Sequence, residues 1–373
     1  MSHAGGGPVR LIVTGGGTGG HLFPGIAVAC GMRERVPATE ILFIGTSRQV
    51  DRIGLQGLGF DQATIRSAGL KGKGIFSRLR AVGLLPLAVG QAMRILARFR
   101  PELVIGVGGY VTGPVLLAAK LQKIPVCIHE QNSVPGLANR LAGRLADRIF
   151  ISLPCTPPFP AVRTRMTGNP VRGEILAAAA RRLPRPADRP PTLLVLGGSQ
   201  GAHRVNTLVT AAVARMREDG GAFRVIHQTG SRDLEEVRQA YGEMGVTAET
   251  GDFFRDMAAI YQQADLVVSR AGATTLAELA VMGLPALLIP YPHAADNHQE
   301  SNARFYVEGG GAVLLRESLL NGNILAEEIT TLLYNNQNLQ GMGARMKALG
   351  RPGATERIID ECLEMVAARG RRR

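Results

Sequence analysis

Polar side chains able to do chemistry gather in this chain just beyond glycine-rich turns, where a strand would end and a helix begin. His21 closes the run Gly15-Gly16-Gly17-Thr18-Gly19-Gly20. A histidine opening a helix is favoured in its neutral form and is suited to take a proton. His129, Glu130, Gln131 and Asn132 leave a strand together. Glu130 is the second candidate for a general base, and the Asn132 amide could hold a sugar hydroxyl. Tyr110 follows another glycine turn, Gly106 to Gly109, and could reach the same space. Ser199 lies inside Gly197-Gly198-Ser199-Gln200-Gly201, with its hydroxyl beside any phosphate docked there. Gly272 and Ala273 allow a close backbone approach, and Thr274 and Thr275 open a helix whose N-terminus carries about half a positive charge. Glu278, one turn in, suits two adjacent hydroxyls such as a ribose diol. Asp296 to Gln299 presents another polar edge at a helix start. Each group also has a plainer reading: His21 and His129 as packing residues, Glu130 and Thr274 as helix caps.

The elements that must position these groups alternate strand with helix. Apolar runs at 10–13, 40–45, 103–107, 125–129 and 148–151 read as strands, with helices over 26–35, 78–98 and 137–145. The scheme repeats with strands at 192–196, 224–228, 265–269, 285–290 and 312–315 and helices at 203–217, 233–244, 274–282 and 299–308. Such alternation implies parallel sheets covered by helices on both faces. The fold class expected is α/β, with two Rossmann-like domains facing across a cleft. They would span residues 1–166 and 167–350; the amphipathic pattern of the helix within 353–373 does not itself name a partner, and the helix is expected to pack back on the first domain. Strand, glycine turn and helix start aim backbone N–H groups at one spot, which suits a phosphate or a developing oxyanion.

Composition narrows the class. At 373 residues, two domains are the natural expectation. The 47 glycines follow no repeat and belong to many tight turns. Tryptophan is absent and aromatic residues make up 5%, against readers of single-stranded nucleic acid, and no nucleic-acid partner is expected. The four cysteines are scattered without metal-ligand spacing, which fits a reducing cytoplasmic setting and no metal site. The longest apolar stretch, 103–119, is broken by glycines and a proline and falls short of the roughly 20 residues a membrane span needs. The net charge of +13 is uneven: no acidic residue lies between Asp61 and Glu102, where Arg66, Lys71, Lys73, Arg78, Arg80, Arg94, Arg98 and Arg100 stand. Ile75, Phe76 and Leu79 are interleaved at helical spacing, so this segment would suit an anionic lipid surface.

Taken together, GGTGGHLFP from Gly16, GGYVTGP from Gly108, HEQN from His129, GNPVR from Gly168, GGSQGA from Gly197, SRAGATTLAE from Ser269 and DNHQESNA from Asp296 resemble the MurG family of peptidoglycan glycosyltransferases. The motifs run in the family's order from about Val9 to Glu361. The resemblance implies a GT-B fold and a UDP-GlcNAc-dependent hexosyltransferase that builds lipid II from lipid I at the cytoplasmic face of the inner membrane, beside other cell-wall synthesis proteins. It implies that the C-terminal domain binds UDP-GlcNAc while the N-terminal domain meets the acceptor and the membrane. Thr18, Gly19, Gly20 and Asn132 would contact the donor. Arg172 and Ser199 would address the diphosphate, and the Phe254 backbone would read uracil. Ala273, Thr274, Thr275, Leu276, Ala277 and Glu278 would hold diphosphate and ribose, and Gln299 would touch the sugar. Tyr110, Ile75, Phe76, Leu79 and Arg80 would serve the acceptor and membrane side. The chain contains no DxD pair, so no metal or other cofactor is expected, and helix N-termini and cations would stabilise the leaving diphosphate.

Other classes remain open at this level. A dehydrogenase should carry an acidic residue about 20 positions beyond its glycine turn, whereas the second strand here ends in Gly45-Thr46-Ser47-Arg48. A UDP-sugar epimerase or another GT-B glycolipid glycosyltransferase would share the two-domain form. A non-catalytic basic binding protein would have no use for the polar groups of both halves.

Overall fold

The structure, a computed structural model, describes residues 9–16, 19–45, 55–67, 75–186, 188–198 and 201–371, and only the backbone of residues 75–82. The chain divides into two compact units, Met1–Arg172 with Pro352–Arg373, and Gly173–Arg351.

The first unit holds a seven-stranded sheet of β1 (Arg10–Gly15), β2 (Glu40–Gly45), β3 (Asp61–Thr64), β4 (Leu103–Gly108), β5 (Val126–Glu130), β6 (Arg148–Ile151) and β7 (Thr164–Met166) in the order β3-β2-β1-β4-β5-β6-β7. Every pairing is parallel. Leu11, Ile12 and Val13 on β1 and Leu103, Val104 and Ile105 on β4 are all buried, because helices cover both faces. These helices are α1 (Gly19–Arg35), α2 (Ile75–Phe99), α3 (Thr112–Leu121) and α4 (Leu137–Leu145). On α2, Ala88, Ala92 and Leu96 form the buried stripe at successive turns, while Leu85, Leu87 and Met93 are exposed, as are Arg94 and Arg98.

The second unit contains α5 (Gly173–Arg181), β8 (Thr192–Leu196), α6 (His203–Glu218), β9 (Arg224–Gln228), α7 (Leu234–Glu243), β10 (Ala248–Gly251), α8 (Met257–Gln263), β11 (Leu266–Ser269), α9 (Ala273–Met282), β12 (Ala286–Leu288), α10 (His298–Glu308), β13 (Ala312–Leu314), α11 (Gly322–Leu333) and α12 (Asn336–Leu349). Its six-stranded sheet has the order β10-β9-β8-β11-β12-β13, again all parallel. Both sheets thus have the Rossmann order. Each reverses direction beside its first strand, between β1 and β4 in one and between β8 and β11 in the other. Ligands of open α/β sheets bind in the crevice at such a reversal, beyond the strands' carboxyl ends.

The last helix, α13 (Ala354–Gly370), belongs to the first unit, a seat that its amphipathic pattern alone left open. Ile358, Ile359, Cys362 and Leu363 join the core that holds Leu22 and Met32. Gly31 makes the approach possible, since a Cβ there would meet Ile359 Cδ1 at 2.8 Å. Glu361 pairs with Arg148 at 3.0 Å and Arg165 at 3.1 Å. All four cysteines are free thiols, two of them buried. Among the described residues no helix is long and apolar enough to cross a membrane.

Candidate functional site

In the first unit, the glycine turns after β1 and β4 interleave at the reversal point. Gly15, Gly16, Gly108 and Gly109 all have positive φ (153°, 125°, 102° and 91°). A Cβ on Gly109 would lie 2.6 Å from the Gly16 carbonyl oxygen, and one on Gly15 would lie 2.6 Å from that of Gly108. Any side chain would force the turns apart. Thr112 pins them, its hydroxyl donating to Gly108 O at 2.9 Å and Thr14 O at 3.3 Å. Gly19, Gly20 and His21 form the first turn of α1. The half-buried His21 ring lies over Gly108, where a Cβ would come within 2.8 Å of its Cδ2. Arg172 stands beside the same helix, its guanidinium carbon 5.0 Å from the Phe23 ring centre. Tyr110 is 44% exposed, and its main-chain oxygen accepts a bond from Ser67 at 2.9 Å.

The segment leaving β5 is built as a buried polar network. His129 accepts at Nδ1 from the Gln131 amide (3.2 Å), and its Nε2–H donates to Gly168 O (3.2 Å) with Ser152 Oγ at 3.1 Å. Burial, with the nearby His21 charge adding to it and the Gly168 bond opposing, lowers the His129 pKa to about 4. This ring is a fixed neutral strut, as the plainer reading allowed. Glu130 is equally buried, and both its oxygens are used. Oε1 accepts from the Asn132 main chain (2.9 Å) and amide (3.2 Å). Oε2 accepts from Gly136 N–H (3.2 Å) and the Asn139 amide (2.9 Å). Burial raises its pKa, and these donors pull the other way. These bonds fold loop 131–136 and present Asn132.

In the second unit, β8 ends in Gly197 and Gly198, and Ser199 lies outside the described residues, as Thr18 does in the first unit. Gln228, at the end of β9, ties this turn to the loop after β10. Its amide donates to Gly198 O (3.3 Å) and its Oε1 accepts from Phe254 N–H (3.0 Å). Gln228 was missed in the sequence, although a buried polar residue ending an apolar strand was the available signal. The loop before α9 is held from two sides. Arg270 donates to Ile289 O (3.0 Å) and Pro290 O (3.2 Å) and pairs with Glu317, and Asn302 donates to Ala271 O (3.3 Å). Gly272, at the N-cap of α9, has no side chain with which to bond the helix N–H groups of the first turn. Leu276 and Ala277 are buried as the helix enters the core, and Glu278 is buried with Oε2 accepting from Tyr261 OH at 2.8 Å. Gln299, half-buried on α10, accepts from Tyr291 N–H at 2.9 Å.

Among the described residues, one trio could hold a cation: His203, Asp233 and Glu236, with donor atoms within 4.8 Å of one another. Asp233 is already bonded by the Asn206 amide at 2.8 Å and paired with His203 at 3.2 Å, which joins the starts of α6 and α7. Asn206 in turn meets His227 Nε2 at 3.0 Å. Burial lowers the His227 pKa to about 3, against the opposing charge of Asp233.

His129 and His227 together make stability pH-dependent. Both stay neutral in the folded chain and take up a proton only on unfolding between about pH 6.5 and their lowered pKa values. The unfolded state then binds more protons, so stability falls with falling pH, by about 1.4 kcal/mol per unit for each ring. Calorimetric unfolding near pH 5 in buffers of different ionisation enthalpy should show uptake of about two protons from these rings; unfolding without proton uptake rules this out.

Two Rossmann-type units, each with a glycine turn and a helix start at its reversal point, make up a GT-B fold. The crystal structure of Acinetobacter baumannii MurG superposes with a TM-score of 0.77 at 30% identity, covering 96% of this chain and all of that one. Residues 11–151 match the glycosyltransferase family 28 N-terminal domain and residues 192–358 its C-terminal domain. The chain belongs to glycosyltransferase family 28. A relative from Desulfotalea psychrophila, named UDP-N-acetylglucosamine--N-acetylmuramyl-(pentapeptide) pyrophosphoryl-undecaprenol N-acetylglucosamine transferase, is 49% identical over 96% of this chain and 97% of its own. A protein of the same name from Geobacter sulfurreducens is 43% identical over 95% and 98%. UDP-GlcNAc 2-epimerase from Neisseria meningitidis shares the fold alone, at 14% identity and a TM-score of 0.67 over 95% and 99% of the two chains.

Proposed function

We propose that this chain moves N-acetylglucosamine from UDP-GlcNAc to the C4 hydroxyl of the undecaprenyl-pyrophosphoryl MurNAc-pentapeptide, with inversion, giving lipid II. The observation that carries the donor half is the N-terminus of α9. Its first turn follows a braced glycine turn, and Glu278 lies one turn further along. That combination suits a diphosphate with a ribose diol beside it. The relatives' shared name supplies the acceptor.

In this reading Arg172, Ser199 and residues 272–277 bind the diphosphate, Glu278 the ribose and Gln299 the sugar. With the Phe254 N–H already taken by Gln228, its carbonyl oxygen is the main-chain group that reads the base. Thr18, Gly19, Gly20 and Asn132 complete the donor contacts. His21 removes the proton from the acceptor hydroxyl as UDP departs in a single in-line displacement. Incubation with UDP-[¹⁴C]GlcNAc and a lipid I analogue should give labelled disaccharide product. An epimerised UDP-sugar without transfer overturns the reading.

The acceptor's lipid carrier requires a membrane surface, and α2 offers one. Leu85 and Leu87 are exposed (42% and 46%) on a helix whose outer face carries Arg94 and Arg98. The side chains of Ile75, Phe76, Leu79 and Arg80, expected to share this role, lie outside the described residues. Replacing Leu85 and Leu87 with glutamine, or Ile75, Phe76 and Leu79 with serine, should reduce sedimentation with phosphatidylglycerol vesicles several-fold and leave UDP affinity unchanged. Undiminished vesicle binding by both variants removes the membrane role of this helix.

A further inference from the structure

We infer that Tyr261 is a positioning residue for ribose recognition: its hydroxyl holds the Glu278 carboxylate in the orientation that receives the two ribose hydroxyls. The inference rests on the donor site proposed above.

Helical side chains lean toward the helix N-terminus, so a carboxylate at the sixth residue of α9 covers the turn around Thr274. A glutamate has three rotatable bonds, and ordering such a side chain only when ligand arrives lowers affinity. Tyr261, on the neighbouring helix α8, is 1% exposed and donates to Glu278 Oε2 at 2.8 Å. The donor comes from a ring locked in the core, so the carboxylate plane is set before binding. A carboxylate offers about four lone-pair positions. The bond from the phenol takes one of them. A phenol can only donate to a carboxylate, so this contact suits the ionised acceptor form that a diol needs.

The arrangement makes a specific demand on ligand choice. If Tyr261 orders Glu278 for the diol, loss of the phenol hydroxyl must weaken binding of a ribonucleotide and spare that of its deoxy counterpart, which engages the carboxylate less. A residue that merely fills the core would weaken both alike.

The test is calorimetric titration of the full chain with UDP and with 2′-deoxy-UDP, comparing wild type, Tyr261→Phe and Glu278→Gln. Wild type should prefer UDP by about tenfold or more, and Tyr261→Phe should cut that preference about fivefold with little change in 2′-deoxy-UDP affinity. The ratio of two affinities is insensitive to any fraction of protein that misfolds. An unchanged preference in Tyr261→Phe with a collapsed one in Glu278→Gln overturns the role of Tyr261 and keeps the ribose assignment. An unchanged preference in both variants overturns the ribose assignment itself, and the role of Tyr261 with it.

Discussion

His21→Ala should lower the transfer rate by about 10²–10⁴-fold while UDP binds as before, the range expected when a general base is removed. The separation follows from the layout. His21 sits on the first turn of α1 over Gly108, in the unit away from the proposed base, ribose and α9 contacts. The neighbouring histidine cannot replace it. His129 is buried, with both ring nitrogens engaged by Gln131, Ser152 and Gly168, and stays neutral down to about pH 4. The acid limb of the wild-type kcat profile should therefore belong to His21 and disappear in the variant. Steady-state kinetics with the lipid I analogue, beside UDP titration, checks both parts. A rate within about threefold of wild type would falsify the assignment of His21 as base.

Much of this arrangement could be read before any coordinates, because glycine turns after apolar strands have few alternatives. The runs 192–196 and 224–228 are the strands β8 and β9 residue for residue. β8 is apolar and buried throughout, and β9 has an apolar, β-branched centre at Val225 and Ile226, so both read as strands of a covered sheet. β3 (DQAT) and β10 (AETG) were missed for the opposite reason: they are polar edge strands, half-exposed, without an apolar run. α13 could be seen as a helix, but its amphipathic stripe alone does not name its partner, and the matching gap at Gly31 lies more than 300 residues earlier. At the site, residue types showed which groups could act. The sequence ranks His21 ahead of Glu130 as base, and the four donors converging on Glu130 support that order.

That convergence has its own consequence. Glu130→Ala should behave as a folding mutation of the first unit. It strips the acceptor from the main-chain N–H groups of half-buried Asn132 and exposed Gly136 and from the amide of buried Asn139 on α4. A buried donor left without a partner costs about 1–3 kcal/mol, so the loss from Asn139 and Asn132 together should be about 2–6 kcal/mol. At roughly 2–4 °C per kcal/mol for a unit of this size, the first unit's melting temperature should fall by about 4 °C or more. Glu130→Gln should be intermediate. It keeps one acceptor oxygen and turns an NH₂ group toward donors on the other side. A catalytic base predicts the reverse pattern for Glu130→Gln, with transfer abolished and an unchanged melting curve. Thermal unfolding of both variants beside their transfer rates distinguishes the two. If Glu130→Gln melts like wild type and transfers nothing, Glu130 is the base and the loop-folding role is wrong. If activity falls only as far as stability and Asn132 placement fall, the carboxylate works through the loop it folds.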